Sequence, residues 1–435
     1  MGKTVSVLIA VVLLSATSAP AQQPTLVVEN GRVITGDGTV MRQASVVVAG
    51  ESILSVTRER VEAPDARRID ASGKTVLPGL IDAHVHLTSP PERRDSTALV
   101  EHLEERVPGI LGDFLQHGVT TVRSTGDYWP WIGEVRDAVA TGDLSGPRIV
   151  TAGPILTAEG GHPAATVCAE LRGTDAPPDP FCRNHLAAEV ASPREARDAV
   201  RRLARQGVDF IKLAYHPLGS LPEIGDEVVA ATVDQAHRED LEAVGHVTET
   251  AVMRRYAAMG LDGFVHPPIL GHVEARTDAQ VRRTARVLAQ HGAPVTTTLI
   301  GEAFHIYEEL EMEAILDGSS PYLKFLEAQA RDIAFLDGAE VSLAVGTDWC
   351  ACAMNDHPAV QAGAATITEM QMLRWGGMSR QAIIRAATAN AARGLEMEDR
   401  IGTLEPGKLA DLIVVDGNPL EDLSALEEVE VVVQG

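Results

Sequence analysis

The stretch VLPGLIDAHVHL, residues 76–87, decides how the rest of the chain is read. It starts as an apolar run suited to a buried strand, is interrupted by Pro78 and Gly79, and ends in His84 and His86 with one valine between them. In an extended strand, residues i and i+2 project from the same face, so both imidazoles leave the C-terminal end of one strand together. Such a pair suits a metal ion; it also suits two satisfied core histidines. The chain holds 14 histidines, enough for one His-x-His to arise by accident, so its meaning depends on the residues placed beside it.

The region after this stretch alternates regularly. Strand-like runs occur at GLIDAHVHL, GVTTVRST, PRIVTAGPIL, VDFIKLA, AVGHVTE, GFVHP, PVTTTL and EVSLAVGTD. Helical patterns such as PREARDAVRRLARQG, DEVVAATVDQAHRED, TAVMRRYAAMG and DAQVRRTARVLAQHG separate most of them. Eight strands alternating with helices predict an α/β fold, a (β/α)8 TIM barrel. A doubly wound open sheet is the alternative, but no Gly-rich dinucleotide fingerprint follows the first strand. At both ends of the chain the texture differs. Short β-branched runs alternate with Gly and Asn-Gly turn signals in TLVVENGRVITGDGTVMRQASVVVAGESILSV and return in GTLEPGKLADLIVVDGNPL and VEVVVQG. This predicts one small β domain built from both chain ends, residues 22–78 and 396–435, around a barrel at 79–395, with the N-terminal part expected to be an antiparallel module. Two segments exceed what a barrel needs: the long loop TAEGGHPAATVCAELRGTDAPPDPFCRNH after the third strand, and a helical excursion after the seventh. Both are expected over the C-terminal mouth, where loops build specificity.

The 435 residues carry a formal charge of −24 and contain nothing resembling a basic stripe, which argues against nucleic acid and anionic membrane partners. Residues 1–21 have the signal-peptide pattern: Lys3, the apolar run VSVLIAVVLLSA, and small residues at Ala19 and Ala21. Cleavage after Ala21 and export to the periplasm or medium are expected, with an uncleaved N-terminal anchor as the alternative. An oxidising compartment would let Cys168 and Cys182 close a short disulfide. Cys350 and Cys352 are read as too close for an unstrained mutual bond, and four cysteines leave three pairings open.

Polar residues then fall at the predicted strand ends: His84 and His86 on the first, Lys212 on the fourth, His246 on the fifth, His266 on the sixth and Asp348 on the eighth. Each alone has an ordinary explanation, as a core histidine, a snorkelling lysine or a helix-capping aspartate. Six such residues at the catalytic ends of barrel strands do not share one. Neutral imidazoles and a carboxylate suit borderline divalent ions, zinc above all. Carboxylation of Lys212 would supply an anionic carbamate able to bridge two ions, which could share a hydroxide nucleophile.

Together with these residues, PGLIDAHVH, the GGH of residues 160–162, GTD, ATANAARGL and GTLEPGKLADLIVVDGNPL make the sequence similar to the amidohydrolase superfamily, in the branch of imidazolonepropionase-like enzymes and metal-dependent prolidases. The resemblance spans nearly all of the chain after residue 21. It implies a barrel beside a small β-sandwich, with His84, His86 and Asp348 on one metal, His246 and His266 on the other, and carboxylated Lys212 bridging them. It also implies hydrolysis of an amide-type C–N bond in a dipeptide, an N-acyl amino acid or a related small amide. Asp348 would shuttle the proton from the nucleophile to the leaving nitrogen, His162 would donate to the oxyanion, and Tyr215 is a further candidate for substrate contact. One departure is Pro267-Pro268 after His266, where family members often carry Gly; His272 is a candidate substitute for contacts made by that turn. A lactone or ester hydrolase using the same site is the alternative activity, and a catalytically inactive binding scaffold a third. Partners are expected to be a small-molecule or dipeptide substrate, with no nucleic acid and no membrane after signal cleavage; a homo-oligomer is left open.

Overall fold

The computed structural model describes residues 23–89, 96–169, 180–216, 221–268, 277–301, 314–351 and 357–435. The signal-peptide segment, His272 and Cys352 lie outside the described residues.

Two parallel arrays of strands make the central part. One contains Leu80–His86, Val119–Ser124 and Arg148–Thr151, with Trp349–Cys350 on its outer edge. The other runs through Ile155–Ala158, Ile211–Ala214, Ala243–His246, Gly263–Phe264, Val295–Thr296 and Leu343–Ala344, flanked by Ala187–Val190. Backbone hydrogen bonds join the arrays at both seams: Ala83 N donates to Val345 O, and Asp209 N to Thr151 O, each at 2.8 Å. The parallel strands and their helical crossovers agree with the expected (β/α)8 barrel. One predicted strand differs. PRIVTAGPIL is split into Arg148–Thr151 and Ile155–Ala158, because Gly153 takes a left-handed φ of 63° and Pro154 has no N–H to continue the ladder.

The crossover helices follow from local sequence. In Pro193–Gln206, Ser192 caps the N-terminus by accepting from Glu195 N, Pro193 opens the first turn, and Ala196, Ala199, Val200 and Leu203 recur at helical spacing on the buried side. Asp278–His291 begins in a capping box made by Thr277 and Gln280. Burying a side chain such as Leu203 or Leu288 contributes about 1.5–3 kcal/mol, and these stripes seal the helices onto the barrel.

A separate seven-stranded sheet draws on both chain ends, in the order Val429–Val433, Leu412–Val415, Thr75–Pro78, Leu26–Ile34, Val40–Ala49 and Ser52–Thr57, with Arg67–Asp70 also paired to Leu26–Ile34. It is mixed, not purely antiparallel. The hairpin Val40–Thr57 occupies one edge of Leu26–Ile34. Arg67–Asp70 and Thr75–Pro78 must therefore return on the other edge, and they do so in parallel. Asn30-Gly31, a turn signal in sequence, lies inside Leu26–Ile34 at a break in register. Asn30 adopts φ 64° there, and a Cβ on Gly31 would come within 2.9 Å of Val76 and 3.0 Å of Ala71. The pair is a bulge that lets a crowded strand bend.

Cys168 and Cys182 are bonded, with their Cα atoms 5.4 Å apart. The bond is buried with Leu99, Tyr128 and Leu186, and Phe181 stacks on Tyr128. It therefore pins the long loop after the third strand, which carries His162. Cys350 is also disulfide-bonded. Of the predicted helical excursion, residues 314–336 are described, most of them in the helix Leu323–Asp337.

Candidate metal centre

His84 and His86 sit at the end of Leu80–His86, and their Nε2 atoms lie 3.3 Å apart. Asp348 Oδ1 approaches both, at 3.0 Å from His84 Nε2 and 3.2 Å from His86 Nε2. Among the described residues, these three form one group whose ligand atoms all lie within 4.8 Å of one another.

The GTD turn delivers Asp348 to that position. A Cβ on Gly346 would meet Thr296 Cγ2 at 2.4 Å and His84 Cβ at 2.9 Å, so only glycine lets the eighth strand pass so close to the first. Thr347 donates its N–H and its hydroxyl to Asp82, at 3.1 and 2.9 Å. Asp348 N donates to His84 O at 2.9 Å. These bonds hold Asp348 at φ 55°, a left-handed conformation that costs a non-glycine residue roughly 1–3 kcal/mol and is often retained at functional sites. Asp82 also accepts from His84 N and Thr366 Oγ1, so one buried carboxyl ties the first strand, the eighth and the helix Ala364–Met372.

A row of imidazoles continues from this group. The His84 and His266 ring centroids are 4.8 Å apart, His266 and His246 4.2 Å, and His246 and His162 5.0 Å. Each of the four predicted histidine ligands has one ring nitrogen engaged by a neighbour. His84 Nδ1 meets Val265 O at 2.8 Å, His86 Nδ1 meets Gly126 O at 2.6 Å, and His266 Nδ1 meets Thr298 Oγ1 at 3.1 Å. His246 is held through the other nitrogen, Nε2, which lies 2.7 Å from His216 Nδ1. Ligating histidines are usually oriented in this way, by a hydrogen bond from the ring nitrogen that does not bind the ion. Burial pushes the His84 imidazole down to about 4, against the opposing pull of Asp348. It holds His162, His246 and His266 well below the usual range as well. Neutral rings keep the lone pair a metal needs.

Lys212 lies on Ile211–Ala214 and is 2% exposed. Burial lowers its amine to about 7, with Asp348 opposing and Arg123 adding to the effect. Arg123 is itself buried, donates to Glu242 and Gly394 O, and lies over the Phe210 ring. The donor set of nitrogen and carboxylate oxygen, with ring nitrogens already oriented, fits divalent metal of the zinc type.

His162 reaches the row, its Nδ1 bonded to Thr166 Oγ1 at 2.6 Å. Tyr215 turns the other way: its ring lies against Tyr256 and its hydroxyl is 3.5 Å from Glu249. Burial raises its phenol above the usual range. The residue brought to the imidazoles instead is its neighbour His216, which the sequence reading missed. A signal for it existed, since residues 212, 214 and 216 share one face if strand alternation continues.

Parallel strands that end in convergent nitrogen and carboxylate donors form a candidate metal site of the kind that metal-dependent barrel enzymes use. Residues 75–435 match the amidohydrolase family. The chain belongs to that family, in its imidazolonepropionase-like and prolidase-like branch, and is a hydrolase of carbon–nitrogen bonds. It is 24% identical to an ochratoxinase from Aspergillus niger, over 92% of this chain and 82% of that one. It is 25% identical to an imidazolonepropionase from Geobacillus kaustophilus, over 93% and 89%. Among solved structures, a Xaa-Pro dipeptidase with bound methionine in the active site is similar at a TM-score of 0.74 and 26% identity, covering 94% of this chain and 98% of that one.

Proposed function

We propose that this protein is an exported, binuclear metal-dependent amidohydrolase that cleaves an amide-type C–N bond in a dipeptide, an N-acyl amino acid or a related small amide. The observation that carries the reading is the ordered row of donors: His84, His86 and Asp348 lie within ligand distance of one another, and His266 and His246 continue the row, each with one ring nitrogen held by a neighbour. Carboxylated Lys212 would lie between the two halves, and zinc is the metal the donors favour. The similarity to a Xaa-Pro dipeptidase supports a dipeptide as substrate. The mixed sheet is read as the small β-sandwich that accompanies such barrels, and the signal-peptide pattern of residues 1–21 supports export.

Bound divalent ions supply Lewis-acid polarisation of a carbonyl and lower the pKa of water toward neutrality. The remaining chemistry belongs to the chain. Asp348 accepts, at Oδ2, the carboxylate oxygen not turned to His84 and His86, the proton released as water attacks, and returns it to the departing nitrogen so that an amine leaves instead of an amide anion. His162, fixed through Nδ1 by Thr166, donates to the carbonyl oxygen as it gains charge.

The test is a hydrolysis screen of zinc-loaded protein on dipeptides, N-acyl amino acids, cyclic amides and lactones. At least one amide is expected to turn over, with the rate abolished by chelator and restored by metal. Lactone or ester opening with no amide cleaved would overturn the amide assignment.

A further inference from the structure

The way His246 is held differs from that of the other three histidines. His84, His86 and His266 are each fixed through Nδ1, by two backbone carbonyls and a threonine hydroxyl. His246 is fixed through Nε2, and the group that fixes it is another imidazole, His216, at 2.7 Å. The two rings meet edge to face, with centroids 4.7 Å apart. His162 covers the pair, 4.7 Å from His216 and 5.0 Å from His246.

We infer that His216 is the positioning residue of the second metal half-site: its Nδ1 accepts a hydrogen bond from His246 Nε2–H and so commits His246 to bind through Nδ1. This inference rests on the binuclear reading above. Two imidazole nitrogens 2.7 Å apart need one proton between them, because two lone pairs facing each other repel. If His246 supplies that proton, its own Nδ1 carries the lone pair. The reverse tautomer would put the proton on His246 Nδ1 and remove it as a ligand. His216 is held against His246 because it follows Ile211–Ala214, the strand that carries Lys212, and Tyr215 N donates to His246 O at 2.9 Å. The fourth and fifth strands are therefore hydrogen-bonded to each other right beside the contact. His216 does not touch the reacting atoms in this account; it acts through His246.

The experiment is metal titration of apo-protein, wild type against His216→Ala and His216→Asn, with Zn2+ and with Co2+ as a spectroscopic probe. An asparagine amide oxygen can accept from His246 Nε2–H much as His216 Nδ1 does, so it separates hydrogen bonding from packing. His216→Ala is expected to bind the first ion as wild type does and the second about 10–100-fold more weakly. His216→Asn is expected to recover much of that loss, and only the second-site cobalt band should change shape. Far-UV circular dichroism checks that each variant is folded, and if His216→Ala fails to fold, the asparagine variant and His216→Phe carry the same comparison. Wild-type affinity for both ions in a folded His216→Ala or His216→Phe would overturn the inference alone. A wild-type protein that takes up one ion only would overturn the binuclear reading, and this inference with it.

Discussion

Asp348→Asn is expected to lower kcat by about 10³-fold, the middle of the range for losing a general acid–base group, while much of the metal stays bound. Asp348 Oδ1 lies within 3.2 Å of both His84 Nε2 and His86 Nε2, so an asparagine oxygen there can still contribute to a ligand group. It cannot take up and return a proton. The backbone that sets its direction is untouched by the change, because Thr347 remains bonded to Asp82 and residue 348 still donates its N–H to His84 O. Steady-state kinetics and metal content measured on the same preparation separate the two roles. Near-wild-type turnover in the folded variant would show that the proton travels by another route.

Lys212→Ala is expected to lose metal and activity together. Removing an outer partner of a ligand costs about 10–100-fold in metal affinity, and removal of a bridging ligand is expected to cost at least the upper end of that range. The chemistry begins with burial: a lysine 2% exposed, with its amine lowered to about 7, is substantially uncharged at neutral pH. The neutral nitrogen attacks carbon dioxide, an N–C bond forms, one proton is released, and an anionic carbamate remains. Acetate or propionate is expected to restore part of both properties by filling the space left by the shortened side chain. Elemental analysis and turnover with and without the added acid provide the check. Full turnover with both ions in Lys212→Ala would reduce the lysine to a strand residue.

The site was more legible in the sequence than the architecture at the chain ends. His84 and His86 are two residues apart in a strand, so period-two alternation alone puts them on one face, and the structure brings their Nε2 atoms to 3.3 Å. GTD at the end of an apolar run likewise marked Asp348. Tyr215 and His216 mark where the reading stopped short. The strand that carries Lys212 ends at Ala214, but the same alternation separates the two residues and favours His216. The identity of its partner depends on a neighbouring strand, which local pattern does not reveal. Asn30-Gly31 shows the opposite failure. Asn-Gly is a strong hairpin signal, yet the chain continues through it as a bulge, because Val76 of a later strand and Ala71, just past another, crowd Gly31. Turn chemistry is local, whereas that crowding comes from residues 40 or more positions away.

The most direct test of the account is the metal content of wild-type protein purified without chelator and reconstituted with zinc and bicarbonate. Two ions per chain are expected, because His84, His86 and Asp348 form one group and His266 and His246 continue the donor row beside buried Lys212. One ion per chain or fewer after reconstitution would contradict the binuclear centre.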